Sequence, residues 1–113
     1  MFFSKFFTVT VLAVLSAGVA ADDHDSCTCH NGDSYNWRIT TAACDLYRSQ
    51  NWRNGKVHYD TPSGRCTQDD DTQFVMGKEW EAACRTTAKN GFLCASGGGT
   101  CYQPDEDQIR GWC

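Results

Sequence analysis

The amino-acid sequence predicts a small α+β domain, with two helices packed on a short antiparallel sheet and the whole tied together by disulfides. Three observations carry this reading. Eight cysteines fall in a chain of 113 residues, a density typical of secreted disulfide scaffolds. Two segments repeat apolar residues at helical spacing. The other apolar runs are short, alternate with polar residues and end at Gly, Pro or Asn.

The elements follow in chain order. Residues 1–21 read as a signal peptide. Met1–Lys5 carries one positive charge, Phe6–Leu15 is apolar, and Ser16–Ala21 consists of small residues suited to cleavage after Ala20 or Ala21. The apolar stretch is shorter than the roughly 20 residues a membrane-spanning helix needs, and no later stretch is apolar enough to span. Residues 22–113 then form one disulfide-rich domain, expected to be a monomer. Cys27 and Cys29 alternate as C-x-C, which suits an extended strand with the two sulfurs facing opposite ways. Ile39–Ser49 places Ala43, Leu46 and Tyr47 on one helical stripe, with Thr40 or Thr41 as its cap. Asn54-Gly55 leads into Lys56–Asp60 (KVHYD), an alternating strand, and Thr61-Pro62-Ser63-Gly64 is a turn. Gln73–Met76 and Phe92–Ala95 are short strands. Lys78–Asn90 is the clearer helix, with Trp80, Ala83, Cys84, Thr87 and Ala88 on its buried stripe. Glu79 and Glu81 sit near the positive end of its dipole and Lys89 near the negative end, and Gly91 follows as a C-terminal cap residue. Gly97-Gly98-Gly99 is a loop, Asp105–Ile109 is one helical turn, and Cys113 staples the end of the chain.

The core is thin. From Ala21 onward the large aliphatic and Phe side chains are Ile39, Leu46, Val57, Phe74, Val75, Met76, Phe92, Leu93 and Ile109. Burial of these, with the Trp and Tyr rings, falls short of holding a domain of this length, so the cysteines are expected as four bridges with no free thiol. Sequence leaves the pairing of Cys27, Cys29, Cys44, Cys66, Cys84, Cys94, Cys101 and Cys113 open among on the order of 100 patterns. Zinc ligation by these thiols is disfavoured, because the paired C-x-x-C spacing is missing and an oxidising compartment works against thiolate sites. No cofactor is expected.

Charge narrows the function classes. Removing the leader with Lys5 leaves nine basic against 14 acidic residues, a net charge of −5. Phosphate binding wants a basic surface, so no nucleic-acid partner is expected. Membrane-active toxins are usually basic, which places an antimicrobial toxin third among the readings.

The order of leader, C-x-C (Cys27, Cys29), Thr41-x-x-Cys44 on a helix, Gly55-x-Val57, Gly64-x-Cys66, then Trp80 four residues before Cys84, resembles small cysteine-rich secreted proteins of filamentous fungi. Many of these are treated as effectors released at a host. The resemblance covers most of the mature chain. It implies an extracellular, disulfide-stabilised protein acting on a host or competitor, and it transfers no catalytic residue.

The residues offer three candidate chemistries. His58 on the KVHYD strand, with Glu79 and Arg65, supplies the base, acid and phosphate clamp of a small secreted ribonuclease. Its bland counterpart is a solvent-facing strand histidine. Four tryptophans are many for this length. Trp80 belongs to the core, whereas Trp37, Trp52 and Trp112 are flanked by polar residues or Gly and can form a binding surface for a protein or a sugar. Cleavage after Ala21 would start the mature chain Asp22-Asp23-His24, whose amine, two amides and imidazole could hold Cu(II) in a plane through His24. Gly97-Gly98-Gly99 lacks the Lys-Ser/Thr and strand–helix setting of a phosphate loop, and Asp69-Asp70-Asp71 lacks alternating calcium-loop spacing. The expected role is therefore non-enzymatic: an effector-like binder of a host protein or cell-wall carbohydrate. The alternative is a ribonuclease-like hydrolase.

Overall fold

The computed structural model describes residues 23–113. The expected leader, and with it Asp22 of the copper reading, lies outside the described residues. The elements are β1 (Asp23–His24), β2 (Ser26–Asn31), β3 (Ser34–Tyr35), α1 (Trp37–Ser49), β4 (Val57–Asp60), β5 (Arg65–Gln68), β6 (Val75–Met76), α2 (Gly77–Asn90), β7 (Phe92–Leu93), β8 (Thr100–Cys101), a 3₁₀ turn (Glu106–Gln108) and β9 (Ile109–Trp112). All strand pairs are antiparallel. The α+β architecture with two helices is the expected one.

The main sheet is organised around β2. Its first residues pair with β5, its last two with β3, and Thr28–Asn31 with β9, while β4 continues the sheet beyond β5. Cys29 sits between the segments that pair with β5 and β3, and the start of α1 satisfies its backbone. The Cys29 amide donates to Thr40 Oγ1 at 2.9 Å, and its carbonyl accepts from the Asn36 amide at 3.0 Å. Thr40 is fully buried, and its hydroxyl donates to Asn36 O at 2.7 Å. This corrects the expected cap of α1. Asn36 caps it instead, its side chain accepting from the Ile39 amide at 2.9 Å, so the helix starts two residues earlier than the periodicity indicated. Asn is as good a cap as Thr, and Thr40 and Thr41 both lie inside the first turns with their hydroxyls on main-chain oxygens.

Four disulfides and no free thiol are present: Cys27–Cys113, Cys29–Cys84, Cys44–Cys66 and Cys94–Cys101. The expectation that the sulfurs of Cys27 and Cys29 diverge across the sheet is overturned. Residues two apart in a strand share a face, and both are fully buried. Cys29 bonds to Cys84 of α2, and Cys66, opposite Cys27 in the register, bonds to Cys44 of α1. Both helices therefore lie on one face of the sheet, each stapled to it. The last residue, Cys113, is held against β2 through Cys27.

The core between these layers contains Ile39, Tyr47, Val57, Val75, Trp80 and Ile109, each at most 1% exposed. The buried residues of α2 are Trp80, Ala83, Cys84, Thr87 and Ala88, the stripe expected from spacing. The Trp80 indole donates to Thr28 O at 2.8 Å, which ties the helix to the sheet through a buried polar bond. Leu93, counted as core from sequence, is instead half exposed on the β7–β8 ribbon.

Strand β9 was not anticipated; only the short turn before it was. Its outer edge is covered by α2. The Gly111 amide donates to Glu81 Oε2 at 3.1 Å, and Arg85 Nε donates to Ile109 O at 3.1 Å. A Cβ at position 111 would stand 2.9 Å from Trp80 Cδ1 and 3.1 Å from Glu81 Cα, so this close approach requires glycine.

The chain contains three Asn-Gly pairs, and each glycine amide is engaged. Gly32 donates to Gln108 O at 2.7 Å, Gly55 to Trp52 O at 3.0 Å and Gly91 to Thr87 O at 2.9 Å. Among the described residues no helix is long and apolar enough to cross a membrane.

Candidate functional site

Register decides which side chains share the sheet face turned away from the helices. Directly opposed residues of an antiparallel pair point the same way, and so do residues two apart in one strand. Ser26, Thr28 and His30 alternate with the buried Cys27 and Cys29, so they point outward. Tyr35 and Arg110 are opposite His30, and Trp112 is opposite Thr28. Thr67 is opposite both Ser26 and His58, which carries the same face across β5 to β4.

At one end of this face the rings of Trp112, His30 and Tyr35 form a row across β9, β2 and β3. Trp112 stacks on His30, with centroids 4.6 Å apart and 15° between planes. Tyr35 meets the other side of His30 edge-on at 6.0 Å. Trp112 is 57% exposed and Tyr35 42%. Two bonds hold the members of the row: Thr28 Oγ1 donates to Trp112 O at 3.4 Å, and the Tyr35 hydroxyl donates to Gly64 O at 2.6 Å. Burial pushes the His30 imidazole below its usual range, and Arg65 pushes it the same way, while the Asp33 backbone opposes them. His30 Nδ1 is nevertheless buried without a hydrogen bond of good geometry. The ring is therefore neutral at neutral pH and serves as a flat floor between two aromatics. Burial, and then the neighbouring Tyr59 hydroxyl at 3.3 Å, push the Tyr35 phenol up to about 12.

The three tryptophans expected at a binding surface are placed very differently. Trp112 is open to solvent on the row just described. Trp37 is 46% exposed, but the Arg38 guanidinium covers its ring at 4.5 Å. Trp52 packs against the core, 6.0 Å from Tyr47, and its indole nitrogen is buried without a partner. With Leu46, Tyr47, Ala83 and Glu79 it lines an apolar groove of about 210 Å³ between the helices.

His58, Arg65 and Glu79 are not brought together. His58 and Arg65 share the outer face, but α2, which carries Glu79, packs on the other. The His58 imidazole takes a different carboxylate, Asp69, at 2.7 Å, with both groups nearly half exposed. Arg65 is committed within the sheet, donating through Nε to Ser26 Oγ at 2.6 Å and through Nη2 to Ser26 O at 2.9 Å. Among the described residues, no hydrogen bond or ion pair links His58 to Arg65 or to Glu79.

His24 lies in β1, opposite Val75 of β6. Among the described residues no group of three His, Cys, Asp or Glu side chains is placed to hold a metal ion.

Sequence reasoning missed His30, Tyr35 and Arg110. None carries a motif, and only the pairing of β2 with β3 and β9 assembles them around Trp112. No family model, no curated protein and no solved structure matches this chain.

Proposed function

We propose that this is a secreted, non-enzymatic binding protein whose outer sheet face takes a cell-wall carbohydrate. The observation that carries the reading is the exposed Trp112 ring, stacked on His30 and backed by a sheet fastened at Cys27–Cys113 and Cys29–Cys84. Exposed aromatic planes offer a large contact area at low entropic cost when they are already held in place. Stacking on His30 fixes the Trp112 ring in advance, and Tyr35 packs edge-on against the far side of that histidine. Four disulfides and a leader-like N-terminal sequence support an extracellular setting. The ribonuclease alternative loses support, because Arg65 is spent on Ser26 and Glu79 stands on the helix side of the sheet.

Affinity electrophoresis of the oxidised protein through gels containing cell-wall polysaccharides tests the proposal. At least one glycan should retard the wild type, and Trp112→Ala should abolish the retardation while the circular dichroism stays native. Retardation that survives Trp112→Ala refutes the site, and absence of retardation by every glycan refutes the ligand class. Cleavage of RNA that is lost in His58→Ala would restore the enzymatic alternative.

A further inference from the structure

We infer that the carbohydrate bound at this face is acidic, a linear polyuronate whose carboxylate is taken by Arg110. The inference rests on the carbohydrate reading above and specifies its ligand. In β9, Arg110 and Trp112 are two residues apart and share the outer face, which sets their Cα atoms about 7 Å apart along the strand. Arg110 is exposed. Among the described residues its side chain makes one hydrogen bond, a long one, 3.4 Å from Nη1 to the carbonyl of its own neighbour Ile109. It forms no ion pair among the described residues, although the chain holds 14 acidic residues against ten basic ones.

Three other cations near the sheet are occupied. Arg65 is bonded to Ser26, Arg85 is bonded to Ile109 O and lies 3.6 Å from Glu81, and Lys89 is paired with Glu106 at 2.9 Å. Arg110 is thus the planar, bidentate donor that remains available beside the stacking ring. Guanidinium matches carboxylate geometry with two parallel hydrogen bonds. A sugar ring lying on Trp112 can therefore be joined by a charged contact to the carboxylate of the same or the next unit. The neutral floor of His30 adds no charge of its own. The net negative charge of the protein weakens long-range approach of a polyanion, so specificity has to come from this contact at short range.

The test compares two probes of equal length, a de-esterified oligogalacturonate and its fully methyl-esterified form, by calorimetric titration in about 0.1 M salt, where the Debye length is about 10 Å. The ester keeps the rings and removes the charge. The wild type should bind the acid form about tenfold or more tightly, as expected for a hydrogen-bonded ion contact. Arg110→Gln should bring the acid-to-ester ratio close to one, and Arg110→Lys should restore part of it. Equal binding of the two forms by the wild type, or a ratio unmoved by Arg110→Gln, overturns the polyuronate inference. Equal binding that still depends on Trp112 leaves the carbohydrate reading standing. Loss of binding to these probes and to every neutral glycan ends both.

Discussion

Replacing Trp80 with alanine should cost about 3–5 kcal/mol, the usual penalty for truncating a large buried aromatic. The structure puts the site at the severe end of burial. The ring is fully buried and packs edge-on to Tyr47 at 6.0 Å. It lies against Gly111 so closely that even a methyl there would crowd it. Its indole also satisfies Thr28 O within the sheet. A domain of this size shifts its melting point by roughly 4–8 °C per kcal/mol, so Trp80→Ala should melt roughly 12–40 °C below the wild type. Trp80→Phe separates the two contributions. It retains most of the ring but leaves the buried Thr28 carbonyl without its donor, at about 1–3 kcal/mol. The assay is thermal unfolding followed by circular dichroism on oxidised protein, with all bridges confirmed by intact mass. A Trp80→Ala melting point within about 5 °C of wild type would refute the assignment of Trp80 as the keystone between α2 and the sheet. If Trp80→Phe is as damaging as Trp80→Ala, the hydrogen bond and not ring packing dominates.

Three further predictions concern different parts of the molecule. Paired Cys→Ser replacement should destabilise in the order of loop length, because each bridge chiefly restricts the unfolded chain. Loss of Cys27–Cys113, spanning 86 residues, should cost about 4–5 kcal/mol, and loss of Cys94–Cys101, spanning 7, about 2 kcal/mol; equal melting shifts would show that loop entropy does not govern. Gly111→Ala should cost about 1–3 kcal/mol by forcing β9 from α2, and an unchanged melting point would mean that the backbone yields freely there. The lowered pKa of His30 means the unfolded chain holds its proton more tightly than the native one. Stability is then complete above the ordinary value of 6.5 and declines as pH falls through it, until the native imidazole protonates as well. Urea midpoints between about pH 8 and pH 5 should show this decline in wild type and a flatter profile in His30→Gln; parallel profiles would exclude His30 as the source.

The helices were legible because their signal is local. The α2 stripe is written in spacings of three and four, and the structure buries the same five residues. The strands β3, β5 and β9 were not legible. Arg65–Gln68 holds one apolar residue, a buried cysteine, and Ile109–Trp112 follows an acidic turn that reads as helical. Their extended form comes from pairing with β2, and for β9 the partner lies about 80 residues earlier in the chain. The candidate site suffered in the same way. Trp112 could be named from composition, but its surroundings depend on a register that no local pattern encodes. Glu81 and Arg85 show the same dependence. In the sequence Glu81 reads only as a charge near the start of a helix and Arg85 carries no signal, whereas in the fold the two cover the edge of β9.

The three engaged glycine amides bear on the chemical lifetime of the protein. An Asn-Gly pair ages when the glycine nitrogen attacks the asparagine side-chain carbonyl, closing a cyclic imide and expelling ammonia. The attacking nitrogen must be free of its hydrogen, and the chain must bend to bring the two groups together. At Asn31-Gly32, Asn54-Gly55 and Asn90-Gly91 that hydrogen is already donated to a main-chain oxygen. The bond at Gly32 joins segments more than 70 residues apart, and that at Gly91 closes α2. Spontaneous deamidation at these sites therefore waits on local opening. The same framework that holds the sheet also sets a clock: intact, oxidised protein keeps its asparagines, and protein whose bridges have been reduced acquires new negative charge at three places in its sequence.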